Sequence, residues 1–272
     1  MKKMKRMAAL VLALMMTLAL ASCGGKSGSG SAAGDGLIYA VESGSAGEAA
    51  AQEQGWDVNA VSNQAAALME VSSGTSDKAI IDLLMASAMI GEGTSYPDLV
   101  LGKELTEESY GIGCRKGSDL TDFINSVLYE LYADGTMKEV AEKYGVQAAL
   151  VGQEAAKEFT PSGDTAATSD VRYIQEKGKL LVGTTEFAPL DYRDDKGEWI
   201  GFDADIARLV AEKLGVDIEF VEIEWDSKLM ELDSKSVDVL WNGMTLTDEV
   251  LNGANCTVPY CRNAQVVVEP AA

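Results

Sequence analysis

The 272-residue chain has no histidine, only four cysteines, and 22 basic residues against 43 acidic ones. Without histidine, imidazole acid–base chemistry and His-ligated metal sites are excluded. No CxxC pair is present, which argues against a structural zinc site. The formal net charge of −21 repels phosphate backbones and anionic lipid, so nucleic acid is not an expected partner. There is no P-loop, no nucleophile elbow and no dinucleotide-binding glycine fingerprint. No metal or organic cofactor is expected.

What is present begins with MKKMKR, a basic start, followed by the apolar run Met7–Ala21. The run is short for a bilayer span, and basic residues, a brief apolar stretch and small residues make a secretory signal over residues 1–22. Leu20-Ala21-Ser22-Cys23 resembles a bacterial lipobox, which implies cleavage before Cys23 and a diacylglyceryl group on its thiol. Residues 23–35 are rich in Gly, Ser and Ala and read as a flexible tether. The remainder, with 47% hydrophobic and 24% charged residues over the whole chain, has the composition of a soluble globular protein. Cys256 and Cys261 are close enough in sequence to pair, or are small buried residues.

Alternating apolar runs and amphipathic stretches predict an α/β fold. Strands are expected at Gly36–Glu42, Ala79–Asp82, Tyr96–Leu101, Ser109–Arg115, Leu180–Val182, Ile218–Ile223, Asp238–Trp241 and Gln265–Val268. Ser118 is expected to cap a long helix, and Thr136 with Glu139 to form a capping box for the next. Residues 151–170 are polar, small and aperiodic; they read as a flexible linker reaching on the order of 25 Å.

Three loops at strand ends stand out, because ligands of open α/β sheets collect at the carboxyl ends of strands. Asp82 ends an apolar strand, where it either points a carboxylate into a cleft or caps the following helix. Ser43-Gly44-Ser45-Ala46-Gly47 joins a strand to a helix, a place whose backbone N–H groups and helix dipole favour an anion. Gly243-Met244-Thr245 follows a further strand.

GKLLVGTTEFAPLDY, VDVLWNGMTLTDE and PYCRNAQVVV resemble, in that order, the opening segments of bacterial extracellular solute-binding proteins of family 3, the amino-acid-binding subunits of ABC importers. LIYAVESGSAG, DKAIID and YGIGCRKGSDLTDFINSVLYELYADGTMKEVAEKYG resemble that family's later segments, yet here they come first. The resemblance therefore implies a circular permutant of a two-lobed, type II periplasmic-binding-protein-like α/β fold. A small lobe would span 36–108. Residues 109–150 would hold a hinge strand and the closing part of the large lobe, 151–170 would join the family's usual termini, and 171–268 would complete the large lobe and end in a hinge strand. Only one covalent crossover between lobes is expected.

By the same resemblance Asp82 would bind a ligand ammonium, Ser43, Ser45 and Ala46 would form the carboxylate turn, and Gly243, Met244 and Thr245 would serve both groups. Phe187 and Trp225 would wall the ligand, unless they simply pack the core, and Glu186 would meet a polar ligand group. The arginine that the family places after its TDE sequence to clamp the carboxylate is Val250 here; Arg115 and Arg262 are candidate substitutes. Glu42 argues against an acidic ligand. The function implied is that of a lipid-anchored, extracytoplasmic monomer, not an enzyme, which captures a free polar amino acid of the glutamine type and passes it to an ABC permease. The alternatives are a sensor acting in trans and a dehydratase-like enzyme on the same fold.

Overall fold

The computed structural model describes residues 35–156 and 158–272. The signal segment, Cys23 and nearly all of the tether lie outside the described residues. The first half of the chain alternates strand and helix: β1 (Ile38–Glu42), α1 (Ala46–Gln54), β2 (Asp57–Val61), α2 (Gln64–Ser72), β3 (Lys78–Asp82), α3 (Leu83–Met89) and the long β4 (Leu99–Tyr110). The second half holds β5 (Gly113–Cys114), α4 (Leu120–Ala133), α5 (Thr136–Tyr144), α6 (Asp170–Lys177), β6 (Lys179–Thr184), the hairpin β7 (Tyr192–Arg193) and β8 (Trp199–Ile200), α7 (Phe202–Leu214), β9 (Asp217–Glu222), α8 (Lys228–Asp233), β10 (Val239–Leu240), α9 (Asp248–Gly253) and β11 (Asn255–Cys256). A last strand, β12 (Cys261–Pro270), closes the chain.

These strands make two five-stranded sheets, ordered β2-β1-β3-β12-β4 and β11-β5-β10-β6-β9. Strands β2, β1 and β3 are parallel, and β12 inserts antiparallel between β3 and β4. In the second sheet β9, β6 and β10 are parallel, with β5 and β11 running against them. This is the two-lobed α/β architecture expected from the sequence. Both sheets belong to one unit, Ala33–Ala272.

The crossover count differs from expectation. The chain passes from the first sheet to the second between β4 and β5, and returns between β11 and β12. Two segments therefore join the lobes, held side by side where Cys261 pairs with Tyr110. The final strand starts at Cys261 rather than Gln265, and its ten residues form the interior of the first sheet. The two short strands expected around 96–101 and 109–115 are one twelve-residue strand and a two-residue stub. The polar run Lys103–Ser109 hides β4 from a hydrophobicity pattern, since an edge strand tolerates charge on its open side.

The linker is not a loose tether. Val151 N–H donates to Tyr260 O (2.9 Å), and Gln153 Nε2 donates to Pro259 O (2.9 Å). Phe159 meets Phe123 edge-on, and Asp119 accepts from Ser162 N–H (2.9 Å), Ser169 Oγ (2.5 Å) and Val171 N–H (3.1 Å). Asp119 thus fixes the start of α6, a helix the sequence pattern concealed. The expected Thr136–Glu139 box does not form; Asp134 Oδ1 instead accepts from Thr136 N–H at 2.9 Å. Cys114, Cys256 and Cys261 are free thiols.

Candidate functional site

A cavity of about 310 Å³ lies between the two sheets and takes its walls from both. On the first-sheet side are the end of β1 (Glu42), the turn and first residues of α1 (Gly44, Ser45, Ala46), Gln64, Asp82 at the end of β3, and Gln265 of β12. On the second-sheet side are Trp225, Lys228, Asn242 to Thr245 and Val250. The volume is at the small end of the ligand-pocket range of roughly 300–1,000 Å³.

The walls touch across the gap. Lys228 Nζ donates to Gly44 O at 2.8 Å, and Ser43 Oγ reaches Asp226 Oδ2 at 3.5 Å. Gly44 has a φ of 71°, and a Cβ placed on it would lie 2.5 Å from the Asp226 backbone. Only glycine allows both the turn and this approach.

Asp82 is 4% exposed and is the hub of a polar network. Its Oδ1 accepts from Tyr110 Oη, Asn263 Nδ2 and, at 3.0 Å, Gln265 Nε2; its Oδ2 accepts from Gln64 Nε2. Asn263 and Gln265 also donate to Glu108 (2.7 and 2.8 Å). Burial raises the Asp82 carboxyl well above its ordinary value, and the nearby Glu108 charge adds to this. Asp82 makes no side-chain cap bond to α3, so it does not serve that helix.

The turn before α1 is partly spent on its own helix. Ser45 Oγ accepts from Glu48 N–H (3.1 Å), Gly44 N–H donates to Glu48 Oε2 (2.7 Å), and Ser45 N–H donates to Glu42 O (3.2 Å). Ser43 N–H pairs with Val61 O (2.9 Å), so Ser43 braces the turn and lies outside the cavity lining.

The loop Gly243–Thr245 is held rigidly. Gly243 N–H donates to Asp203 Oδ2 (2.7 Å), which also accepts from Tyr260 Oη (2.6 Å), and Gly111 N–H donates to Met244 O (3.0 Å). Burial pushes Asp203 up to about 6. Phe187 lies behind this loop, 1% exposed and edge-on to Tyr110. It packs the core and is not part of the lining. Glu186 pairs with Arg193 (3.6 Å) and is not among the residues lining the cavity.

Residues 180–272 match the model of bacterial extracellular solute-binding proteins, family 3. This stretch of the chain is similar to that family. It is 35% identical over 122 residues to a probable amino-acid ABC transporter-binding protein of Haemophilus influenzae, covering 44% of this chain and 46% of that one. It is 34% identical over 118 residues to the L-cystine-binding protein TcyJ of Escherichia coli, covering 43% and 42%. It is 30% identical over 104 residues to a cyclohexadienyl dehydratase of Pseudomonas aeruginosa, covering 38% and 39%. The chain thus spans less than half the length of each of these relatives.

The matched segment supplies the second-sheet wall and Gln265, while Glu42, the α1 turn, Gln64 and Asp82 come from outside it. The structure brings Asp82, Ser45, Ala46, Trp225, Gly243, Met244 and Thr245 together at one cavity. Neither arginine considered as a substitute at position 250 reaches it. Arg115 is tied to Asp170 (3.1 Å), Asp238 (3.4 Å) and Val237 O (2.9 Å), and Arg262 is exposed on β12.

Among the lining residues outside the sequence-based ligand set are two buried ionisable ones, Glu42 and Lys228. Glu42 is 2% exposed, with Oε1 unpartnered among the described residues, and burial pushes it up to about 8. Lys228 is 4% exposed. Its signal was its spacing from Leu232, since i and i+4 share a helix face, and these two are the buried residues of α8.

Proposed function

We propose that this protein is an extracytoplasmic solute-binding protein that captures a polar amino acid of the glutamine type between its lobes and presents it to an ABC importer. The observation that carries this reading is the cavity walled by both sheets, which join through two adjacent strands, an arrangement suited to hinge closure around a small ligand. Asp82 Oδ2 accepts one donor and keeps a lone pair for an ammonium. The Ala46 N–H at the start of α1 and the Thr245 hydroxyl serve as donors, and Trp225 supplies an apolar wall. Glu42 Oε1, bare and buried, suits an N–H of a side-chain amide.

The permuted order is part of the proposal. The matched segment, which starts in β6, ends at the last residue, and β5, from before it, pairs with β10 and β11 of the segment. This supports a chain whose later family segments now precede its earlier ones, joined through residues 151–170. Anchoring through a lipid on Cys23 rests on the LASC sequence.

Calorimetric titration of the purified protein with the twenty amino acids tests the reading. Binding of one polar amino acid near micromolar, about 8 kcal/mol, and its weakening in Trp225→Ala are expected. Silence across all twenty would overturn it. A buried Glu42 held up to about 8 is also the kind of group a dehydratase would use as an acid; turnover of prephenate would favour that second reading.

A further inference from the structure

Position 250, where the resemblance implies an arginine, is valine, yet the cavity still contains a basic side chain. Val250 is 2% exposed and packs with Trp225, Leu232 and Met244, so no charge comes from that position. Lys228 is the one basic residue lining the cavity among the described residues. Its Nζ donates to Gly44 O at 2.8 Å and to Trp225 O at 3.2 Å, and lies 5.3 Å from the centre of the Trp225 ring.

Two carbonyls leave one of its three N–H donors unspent. Among the described residues no carboxylate comes within ion-pair distance of it; Glu249, Glu42 and Asp226 act on it only from further off. A buried ammonium without an anion is costly. Burial accordingly lowers its pKa, against the pull of those acids. Of the backbone donors nearby, the Gly44 and Ser45 N–H groups are already taken by Glu48 and Glu42, which leaves Ala46 N–H to share a ligand carboxylate with the lysine.

We infer that the Lys228 ammonium anchors the ligand carboxylate, the task that the resemblance gives to an arginine at position 250. This deepens the amino-acid-binding reading and rests on it. Lys228 reaches from the second-sheet wall to Gly44 on the first. A carboxylate on its remaining donor therefore sits where the two walls meet and stabilises closure. Glu42, Glu53, Asp82, Asp248 and Glu249 line the same cavity, so the site admits a zwitterion or a cationic amino acid and rejects a second ligand carboxylate.

The test compares L-glutamine and L-arginine with their decarboxylated amines, 4-aminobutanamide and agmatine, by calorimetry on the wild type, Lys228→Met and Lys228→Arg. The wild type is expected to bind one amino acid at least about tenfold tighter than its amine. Lys228→Met is expected to lose about 10- to 100-fold for the amino acid and less than about threefold for the amine, closing the gap between them. Lys228→Arg should stay within about tenfold of wild type, since a guanidinium also binds carboxylate. A folded Lys228→Met that keeps wild-type affinity for the amino acid overturns the anchor. If Lys228→Met does not fold, the wild-type comparison still decides: equal affinity for amino acid and amine overturns the anchor and leaves cleft binding standing. A wild type that binds none of the four overturns both the anchor and the glutamine-type reading.

Discussion

Two buried ionisable groups line the cleft and are treated in opposite ways. Asp82 on the first-sheet wall accepts from four side-chain donors. Lys228 on the facing wall has two carbonyls and no carboxylate partner among the described residues. The first is a satisfied network that ties β3, β4, β12 and α2 into one body. The second is an unsatisfied charge, which folding alone does not reward. The stability load therefore falls more on Asp82 than on Lys228, and substitutions at the two should read differently.

The largest effect is expected from Asp82→Ala. It leaves the Tyr110 hydroxyl and three amides without their shared acceptor, so urea denaturation should show a loss of about 3–5 kcal/mol. Asp82→Asn, which keeps the shape, should lose less. An alanine variant as stable as wild type would mean that the network carries no stability, and the contrast between the walls would disappear.

Glu42 comes next, and its effect depends on pH. Its folded pKa lies near 8, above the ordinary 4.5, so the folded state holds more protons than the unfolded state between these values. The stability it contributes is full below about 4.5 and is lost as pH rises through about 8, on the order of a few kcal/mol. Thermal unfolding of Glu42→Gln across pH 5–8 should show a flatter decline than wild type. Parallel profiles would place Glu42 in contact with water.

Gly44 tests how closely the walls must meet. Gly44→Ala puts a methyl against Asp226 and costs about 1 kcal/mol for the left-handed turn. Its main consequence should be ligand affinity weaker by about tenfold, with titration as the measurement. Unchanged affinity would show that the cleft works without this contact.

How much of this was legible follows from where the information sits. The strand-end loops announced themselves because Asp82, Ser45 and Gly243 each follow an apolar run, and periodicity finds such runs. β4 was hidden because its middle, Lys103–Ser109, is a polar edge, and α6 because its start is fixed by Asp119, some 50 residues away in sequence. The second crossover was missed because nothing local tells Val266 which sheet will take it; the pairing with Ile81 and Glu104 decides. Lys228 was not singled out, because a charge beside Asp226 and Ser227 carries little weight on its own, and it is the packing of α8 that buries it together with Leu232.

Lys228 should give the smallest change in stability and so completes the contrast. Lys228→Met removes a buried charge and two hydrogen bonds to carbonyls. One of these carbonyls, Trp225 O, also accepts from the Lys228 backbone N–H. The lost bonds and the relieved desolvation act in opposite directions, so unfolding free energy without ligand should move by less than about 1 kcal/mol. Added ligand raises the stability of a binder according to its affinity, so the same unfolding curves measured with a bound amino acid should separate the variant from wild type. A lysine whose removal costs several kcal/mol in the empty protein would instead be a structural latch between Gly44 and Trp225, and the contrast with Asp82 would fail at that residue.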